Sequence, residues 1–192
     1  MIPVLETERL LIKFGTIEDR VRVHEFDFNY LQNIDGIFEF VKLDPNEVRG
    51  WFSNSIEKYY DYVIERKSYD FIVYLVDSMT LIGNIGFDRY DEKLNSLEIY
   101  CYLHPNYWGK GYAKEALIRC MEYLYNKGYE NIIYSYDYNN NKSKTLCEKI
   151  GFEFLEKHKE GNFNGGISIM YKNIMSKERF NEIYVKKLGK IK

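Results

Sequence analysis

The alternation of apolar and polar positions predicts short strands interleaved with amphipathic helices. Runs rich in β-branched and aromatic residues between polar turns are typical of strands. Apolar residues that recur every three or four positions are typical of helices packed on a sheet. Strands are predicted at residues 10–14, 71–76, 81–87, 97–103, 132–138, 152–157 and 167–172. Helices are predicted from residue 17, at 45–66, at 111–127, after Asn140 or Asn141 to residue 150, and at 176–188.

The order of these elements predicts the fold class. One strand precedes two helices and three strands, and a helix, a strand, a helix and two strands follow, which is a mixed α/β arrangement rather than a repeating βαβ series. Short polar turns between the strands of residues 71–103 predict an antiparallel meander. The length of 192 residues suits one domain. We place this domain at residues 1–175 and interpret residues 176–192 as a C-terminal helical appendage.

The most informative segment lies between the fourth predicted strand and the helix after it. It reads His-Pro-Asn-Tyr-Trp-Gly-Lys-Gly-Tyr-Ala at residues 104–113. Gly109 and Gly111 allow a tight turn and a close approach to an anion, and the first amides of the helix have no intrahelical acceptors. A phosphate or pyrophosphate is therefore the expected ligand. The alternative is that the glycines only shape the turn, and the spacing fits neither a P-loop nor a dinucleotide fingerprint.

Three further segments surround this loop in a fixed order. They are Leu-Glu-Thr-Glu-Arg-Leu-Leu-Ile at 5–12, Leu-Glu-Ile-Tyr-Cys-Tyr-Leu at 97–103, and residues 140–152, which run from Asn-Asn-Lys-Ser to Ile-Gly-Phe. With the loop, they resemble the GNAT superfamily of N-acetyltransferases over residues 5–172, most closely the branch related to ribosomal-protein-alanine N-acetyltransferases. The general pattern has Gln or Arg where Trp108 stands, but this branch commonly carries Trp there.

The resemblance implies a fold and a cosubstrate. The fold is a central, mostly antiparallel seven-stranded sheet, splayed between its fourth and fifth strands and flanked by about four helices plus a C-terminal helix. Acetyl-CoA lies in the splay, with its pantetheine arm on the backbone of residues 101–103 and its pyrophosphate on the amides of 109–113. The implied binding residues are Cys101, Tyr102, Leu103, Trp108, Gly109, Lys110, Gly111, Tyr112, Ala113, Asn140 and Ser143.

The resemblance also implies two catalytic residues. Acetyl transfer needs a base for the amine proton and an acid for the departing thiolate. Glu98 stands where the family uses a base and is expected to act through water, although a solvated strand carboxylate is the alternative. Many members carry a tyrosine acid where this sequence has Cys147, which is expected to be a small buried residue. Ser143 matches a proton donor of the related branch and is assigned that role, with helix capping as its alternative.

Composition excludes several other classes of protein. The net charge is −2, with 27 basic against 29 acidic residues, which argues against a nucleic-acid partner. The three cysteines and three histidines lack metal-binding spacing, so no metal is expected. No apolar run is long enough to span a membrane and no signal peptide is apparent. We expect a cytoplasmic protein without a membrane partner, acting as a monomer or homodimer.

The resemblance implies that the acceptor is a primary amine, either on a protein N-terminus or on a small molecule. One alternative is an antibiotic or polyamine acetyltransferase. Another, suggested by Cys147, is a non-catalytic acyl-CoA-binding regulatory module. Acceptor specificity is expected from the first two helices, from residues 29–43 and from the turn at 162–166. Acidic residues in residues 29–43 or just before them could attract a cationic amine. They are Glu25, Asp27, Asp35 and Glu39.

Overall fold

One sheet organises the described part of the protein. The computed structural model describes residues 4–13, 18–19, 22–23, 69–161 and 166–185. Its eight strands are β1 (Leu5–Glu6), β2 (Leu10–Lys13), β3 (Tyr69–Leu75), β4 (Leu81–Asp91), β5 (Ser96–Leu103), β6 (Asn131–Asp137), β7 (Glu153–Gly161) and β8 (Ile167–Ser176). They lie in the order β1-β2-β3-β4-β5-β6-β8-β7. Among the described strands, β5 and β6 are the only parallel neighbours.

Helices connect and follow these strands. The described helices are a 3₁₀ turn (Pro105–Tyr107), α1 (Tyr112–Asn126), α2 (Asn141–Ile150) and α3 (Lys177–Phe180), which continues as a π-helical turn over Asn181–Val185. Residues 18–19 and 22–23 are also helical, as the sequence predicts for the segment after residue 17. The helix predicted at 45–66 lies outside the described residues.

The predicted mixed α/β fold is confirmed, but the sheet has eight strands rather than seven. The additional strand, β1, is only two residues long and pairs Leu5 with Ile12. It forms because the chain turns back at once, with the Thr7 N–H donating to the Leu10 C=O at 2.9 Å. Such a short strand has too few residues for an alternating pattern, so the sequence does not reveal it.

Apolar contacts cover both faces of the sheet. On one face, the apolar stripe of α1 packs against alternate residues of the central strands, and Leu117, Met121 and Leu97 are fully buried there. On the other face, Val23 packs with Ile72 and the neighbouring apolar residues. The period of two in the strands and of 3.6 in α1 therefore directs these side chains into two cores.

The splay predicted between the fourth and fifth strands lies between β5 and β6, because β1 shifts the numbering by one. These strands pair only at their first residues, where Ser96, Leu97 and Glu98 oppose Asn131, Ile132 and Ile133. Beyond that point β5 continues to residue 103 and β6 to residue 137 without pairing to each other. An open gap results, with unpaired strand edges on both sides.

The described part of the C-terminal segment packs on the same core. Phe180 is 3% exposed and lies 5.0 Å from Tyr125, measured between ring centroids. The Tyr184 hydroxyl donates to the Ile150 C=O at 2.7 Å, and Arg179 Nε donates to the Gly151 C=O at 2.7 Å. These contacts attach the segment to the end of α2, while the division of the chain at residue 175 stays a prediction.

Candidate active site

The glycine loop begins where β5 ends. The His104 N–H donates to the Ile82 C=O at 2.8 Å, and a 3₁₀ turn follows. The Trp108 indole N–H then donates back to the Leu103 C=O at 2.6 Å, which closes the turn onto the strand. Gly109 and Gly111 have φ of +73° and +84°. These left-handed values suit glycine, and they bring the chain round to the start of α1.

The amides after this turn have no acceptor in the part of the chain that the structure describes. Within the described residues, none of the N–H groups of 109–114 donates a hydrogen bond. The first bond of the helical turn is from the Glu115 N–H to the Gly111 C=O at 3.1 Å. Backbone donors without acceptors at a helix N-terminus form an anion site, so the loop has the donors that a pyrophosphate requires.

The backbone of β5 also presents groups to the gap. Antiparallel pairing alternates, so the bond between His104 and Ile82 places the N–H and C=O of Tyr102 toward β4. The backbone groups of Cys101 then point to the other side, into the gap. On that side, the Leu103 C=O already accepts the bond from Trp108.

The start of α2 forms the opposite wall. Asn140 caps this helix, with its Oδ1 accepting from the Ser143 N–H at 3.0 Å. The Ser143 hydroxyl is therefore not the cap, and its influence is felt in the pKa of the Tyr134 phenol on β6. Burial raises the pKa of Tyr134, and Ser143 lowers it by less. Lys142 Nζ lies 3.9 Å from the centroid of the Trp108 ring, so α2 and the glycine loop touch across the gap.

A carboxylate pair lies on the other face of the sheet. Glu98 on β5 is directly opposite Asp88 on β4, and its Oε2 is 3.6 Å from Nη1 of Arg89. Arg89 Nη2 also donates to Glu160 Oε1 at 3.3 Å. Burial raises the pKa of Asp88. The charge of Glu98 raises this pKa further, and the charge of Arg89 lowers it by less than burial raises it. Asp88 and Glu98 are therefore neighbours in a partly desolvated setting, and Arg89 contacts Glu98 and Glu160 beside them.

The two residues assigned to catalysis approach the gap from opposite faces. Leu97 packs under α1, so its neighbour Glu98 points to the other face of β5. Tyr134, whose pKa is lowered by Ser143, belongs to the core on the α1 side. A group threaded through the gap would thus meet the carboxylate on one side and the hydroxyl on the other.

Several other sequence expectations concern groups outside this pair. Cys147 is 2% exposed, as expected, and burial raises the pKa of its thiol to about 12, so it is not a thiolate at neutral pH. All three cysteines are free. His104 has a structural role, since its Nδ1 accepts from the Asn106 N–H at 3.2 Å. Residues 29–43 and 162–165 lie outside the described residues, as do the acidic residues named with them.

The described residues also bear on metal binding and on membrane insertion. No cluster of His, Cys, Asp and Glu side chains suited to a metal ion occurs among the described residues. In that same part of the chain, every helix is too short or too polar to cross a membrane. The expectations of a cytoplasmic location and of no metal stay predictions.

Sequence reasoning gave no role to Arg9 and Glu115. Arg9 Nε donates to Glu115 Oε2 at 2.7 Å, beside the glycine loop. The signal was present, because Glu115 is an acid in the first turn of a helix expected to bind an anion, and Arg9 lies in the family-like opening segment. They are 106 positions apart in the chain, so their contact is hidden in the sequence.

Comparisons with known proteins identify the family of this chain. The acetyltransferase (GNAT) domain model matches residues 9–153. The uncharacterized N-acetyltransferase YnaD of Bacillus subtilis is 32% identical over 153 residues, which cover 77% of this chain and 81% of YnaD.

Two solved structures share the fold. The ribosomal-protein-S5-alanine acetyltransferase of Vibrio fischeri is 15% identical and has a TM-score of 0.75, covering 93% of this chain and 98% of that one. RimL, a ribosomal L7/L12 α-N-protein acetyltransferase in complex with coenzyme A, is 12% identical with a TM-score of 0.75, covering 92% of this chain and 99% of its own. The domain match and the likeness to YnaD show that this chain belongs to the GNAT acetyltransferase family and is an N-acetyltransferase.

Proposed function

We propose that this N-acetyltransferase transfers the acetyl group of acetyl-CoA directly to a primary amine, on a protein N-terminus or a small molecule. The observation that carries this proposal is the set of amides at residues 109–114 without acceptors among the described residues. They lie at the end of a strand beside an open gap. A diphosphate supplies the acceptors that these donors lack, and a strand-like pantetheine arm suits the gap.

The binding residues would divide the cosubstrate between them. Gly109 to Ala113 would hold the pyrophosphate, with Lys110 adding positive charge and Trp108 bordering the loop. Residues 101–103 would line the arm, and the backbone of Cys101 is the part that points into the gap. Across the gap, the Oδ1 of Asn140 is already used by the helix cap, so its side-chain N–H₂ is the group left to donate to an amide carbonyl of the arm.

The chemistry would use one residue from each face. Glu98, through water, would take a proton from the amine as its nitrogen attacks the thioester carbonyl carbon. The C–S bond then breaks, and Ser143 would give a proton to the thiolate. Burial raises the pKa of Tyr134, so this phenol keeps its proton at neutral pH. As Ser143 gives its proton to the thiolate, the Tyr134 phenol would supply a proton to Ser143 Oγ, so the serine is not left as an alkoxide.

A polyamine or a cationic antibiotic is the second candidate acceptor. The observation in its favour is the pair formed by Asp88 and Glu98, because two carboxylates suit a substrate with several positive charges. A single α-amino group needs only the base at Glu98. The two candidates therefore differ in how much they depend on Asp88.

An amine screen tests the proposal. The purified protein is incubated with acetyl-CoA and a panel of N-terminal peptides, polyamines and aminoglycosides, and thiol release is measured together with the mass of the product. We expect turnover with one of these classes and a product heavier by one acetyl group. Saturable binding of acetyl-CoA without turnover of any amine would contradict the proposal and favour an acyl-CoA-binding module. Asp88→Asn, tested on the best amine, distinguishes a polycation from a single amine.

A further inference from the structure

Arg9 contacts the outer side of the glycine loop at several points. This residue lies in the turn between β1 and β2, and its Nη1 donates to the Lys110 C=O at 3.1 Å. Its guanidinium carbon is 4.5 Å from the centroid of the Tyr112 ring. Its Nε donates to Glu115 Oε2 at 2.7 Å, and its Nη2 forms an ion pair with the same carboxylate. One side chain thus touches the loop and the first turn of α1.

The bond to Lys110 sets the direction of an amide. A trans peptide is planar, so its C=O and the following N–H point in opposite directions. Because the Lys110 C=O points at Arg9, the Gly111 N–H points away from Arg9. That N–H is one of the donors without an acceptor in the described residues, at the centre of the proposed pyrophosphate site. Arg9 therefore helps to fix the direction in which the loop can bind an anion.

The contact with Glu115 also changes the charge at the site. A free carboxylate in the first turn of α1 would repel a diphosphate bound there. Burial alone would raise the pKa of Glu115, but hydrogen bonds from Thr7, at 2.5 Å, and from Arg9 outweigh it and lower the pKa. The carboxylate is therefore ionised at neutral pH, and Arg9 balances its charge.

The role inferred from these contacts rests on the proposed function. We propose that Arg9 is a positioning residue of the acetyl-CoA site, which acts through the glycine loop rather than by contact with the reacting atoms. Thr7 and Glu115 complete the unit, since the Thr7 hydroxyl and the Arg9 guanidinium both hold the same carboxylate. The opening segment of the chain thus contributes to affinity for the diphosphate.

The test separates the diphosphate from the rest of the ligand. Binding of coenzyme A and of pantetheine, which has the arm but no diphosphate, is measured by calorimetry or NMR titration. For Arg9→Gln we expect the Kd of coenzyme A to rise about tenfold, as for the loss of a charge-assisted hydrogen bond. The Kd of pantetheine should stay within about twofold, below the size of one net hydrogen bond.

Arg119→Gln is the matched control. Arg119 lies on α1, as Glu115 does, and its Nε donates to the Glu6 C=O of β1 at 3.2 Å. Its Nη1 pairs with Glu122 Oε2 at 3.0 Å, and within the described residues it forms no hydrogen bond or ion pair with the loop. We expect its Kd for coenzyme A to stay within about twofold of the wild type.

Arg9→Lys is the second variant. It keeps the positive charge beside Glu115 but loses the planar fork that reaches both Lys110 and the carboxylate. We expect an intermediate rise in the Kd of coenzyme A, about threefold. If Arg9→Gln fails to fold, as judged by thermal melting, Arg9→Lys decides in its place.

The outcomes distinguish this inference from the proposed function. If the wild type binds coenzyme A and both Arg9 variants bind it equally well, the positioning role is wrong while the proposed function stands. If the Kd values of coenzyme A and of pantetheine rise by the same factor, Arg9 supports the fold rather than the loop, and the inference is again wrong. If the wild type binds no coenzyme A, the proposed function itself fails.

Discussion

The two faces of the sheet present different chemical groups beside the gap. On the α1 side, backbone amides of residues 109–114 face outward without acceptors in the described residues, and the chain behind them is held by Arg9 and Trp108. On the other face, Asp88 and Glu98 present side-chain carboxylates beside Arg89. The amide side depends on backbone geometry, so it can serve any acyl-CoA enzyme of this fold. The carboxylate side depends on long side chains, so it can change with the acceptor.

Glu98→Gln should give the largest change in activity. Loss of a general base costs about 100-fold or more in kcat, and the Kd of coenzyme A should stay within about twofold because the variant leaves the amides in place. The kcat is measured with the best amine of the screen, and the Kd of coenzyme A is measured by titration. Glu92→Gln is the control, since Glu92 is an exposed acid in the turn before β5. Full activity in Glu98→Gln would remove the base from the account.

Gly83→Ala should give the largest change in stability. A Cβ at Gly83 would lie 2.0 Å from the Tyr102 carbonyl oxygen and 2.8 Å from the Leu103 Cα, and neither backbone atom can move aside easily. We expect the free energy of unfolding to fall by about 3 kcal/mol or more in urea denaturation. Gly128→Ala, with open space but φ of +98°, should cost about 1 kcal/mol. Equal losses would show that β4 and β5 can separate without penalty at the loop end.

Gly109→Ala distinguishes a site glycine from a turn glycine. A Cβ at Gly109 meets nothing within 4 Å, so its cost comes from the φ of +73° alone, about 1 kcal/mol as for Gly128→Ala. Relief of that strain would rotate the neighbouring amides, so the Kd of coenzyme A should rise about tenfold in Gly109→Ala only. If both variants bind coenzyme A like the wild type, the glycine only shapes the turn.

Local patterns predicted the elements that position the amides. The apolar stripe of α1 and the glycines before it are adjacent in sequence, and helix and loop lie where they were predicted. Contacts between distant segments were not predictable in the same way. Arg89 and Glu160 are 71 residues apart, and they meet because the β7–β8 hairpin reaches the carboxylate side of the sheet. The two-residue strand β1 was missed because its pattern is too short.

Acid should reveal the smallest effect, at Glu115. Its pKa is lowered in the folded protein, because hydrogen bonds from Thr7 and Arg9 outweigh burial. Its contribution to stability is therefore present above the ordinary glutamate pKa of about 4.3 and is lost as the pH falls through the lower, folded value. The contact with Arg9 is partly exposed, so we expect Glu115→Gln to be less stable by about 0.5 kcal/mol at pH 7.

The pH dependence provides the check on Glu115. Urea denaturation of both proteins at neutral pH and below about pH 4 should show the difference in unfolding free energy shrinking with acid. A difference that stays constant, or that grows as the pH falls, would contradict the assigned direction of the pKa shift. The same measurement on Arg9→Gln should show the same trend, since both variants break one contact.

The central claim is that the amides after β5 hold the diphosphate of coenzyme A. The most direct measurement is the ¹H–¹⁵N spectrum of the protein titrated with coenzyme A and, separately, with pantetheine. We expect the amide signals of residues 109–114 to shift with coenzyme A and to stay in place with pantetheine. Signals that do not respond to coenzyme A, or that respond equally to both ligands, would contradict it.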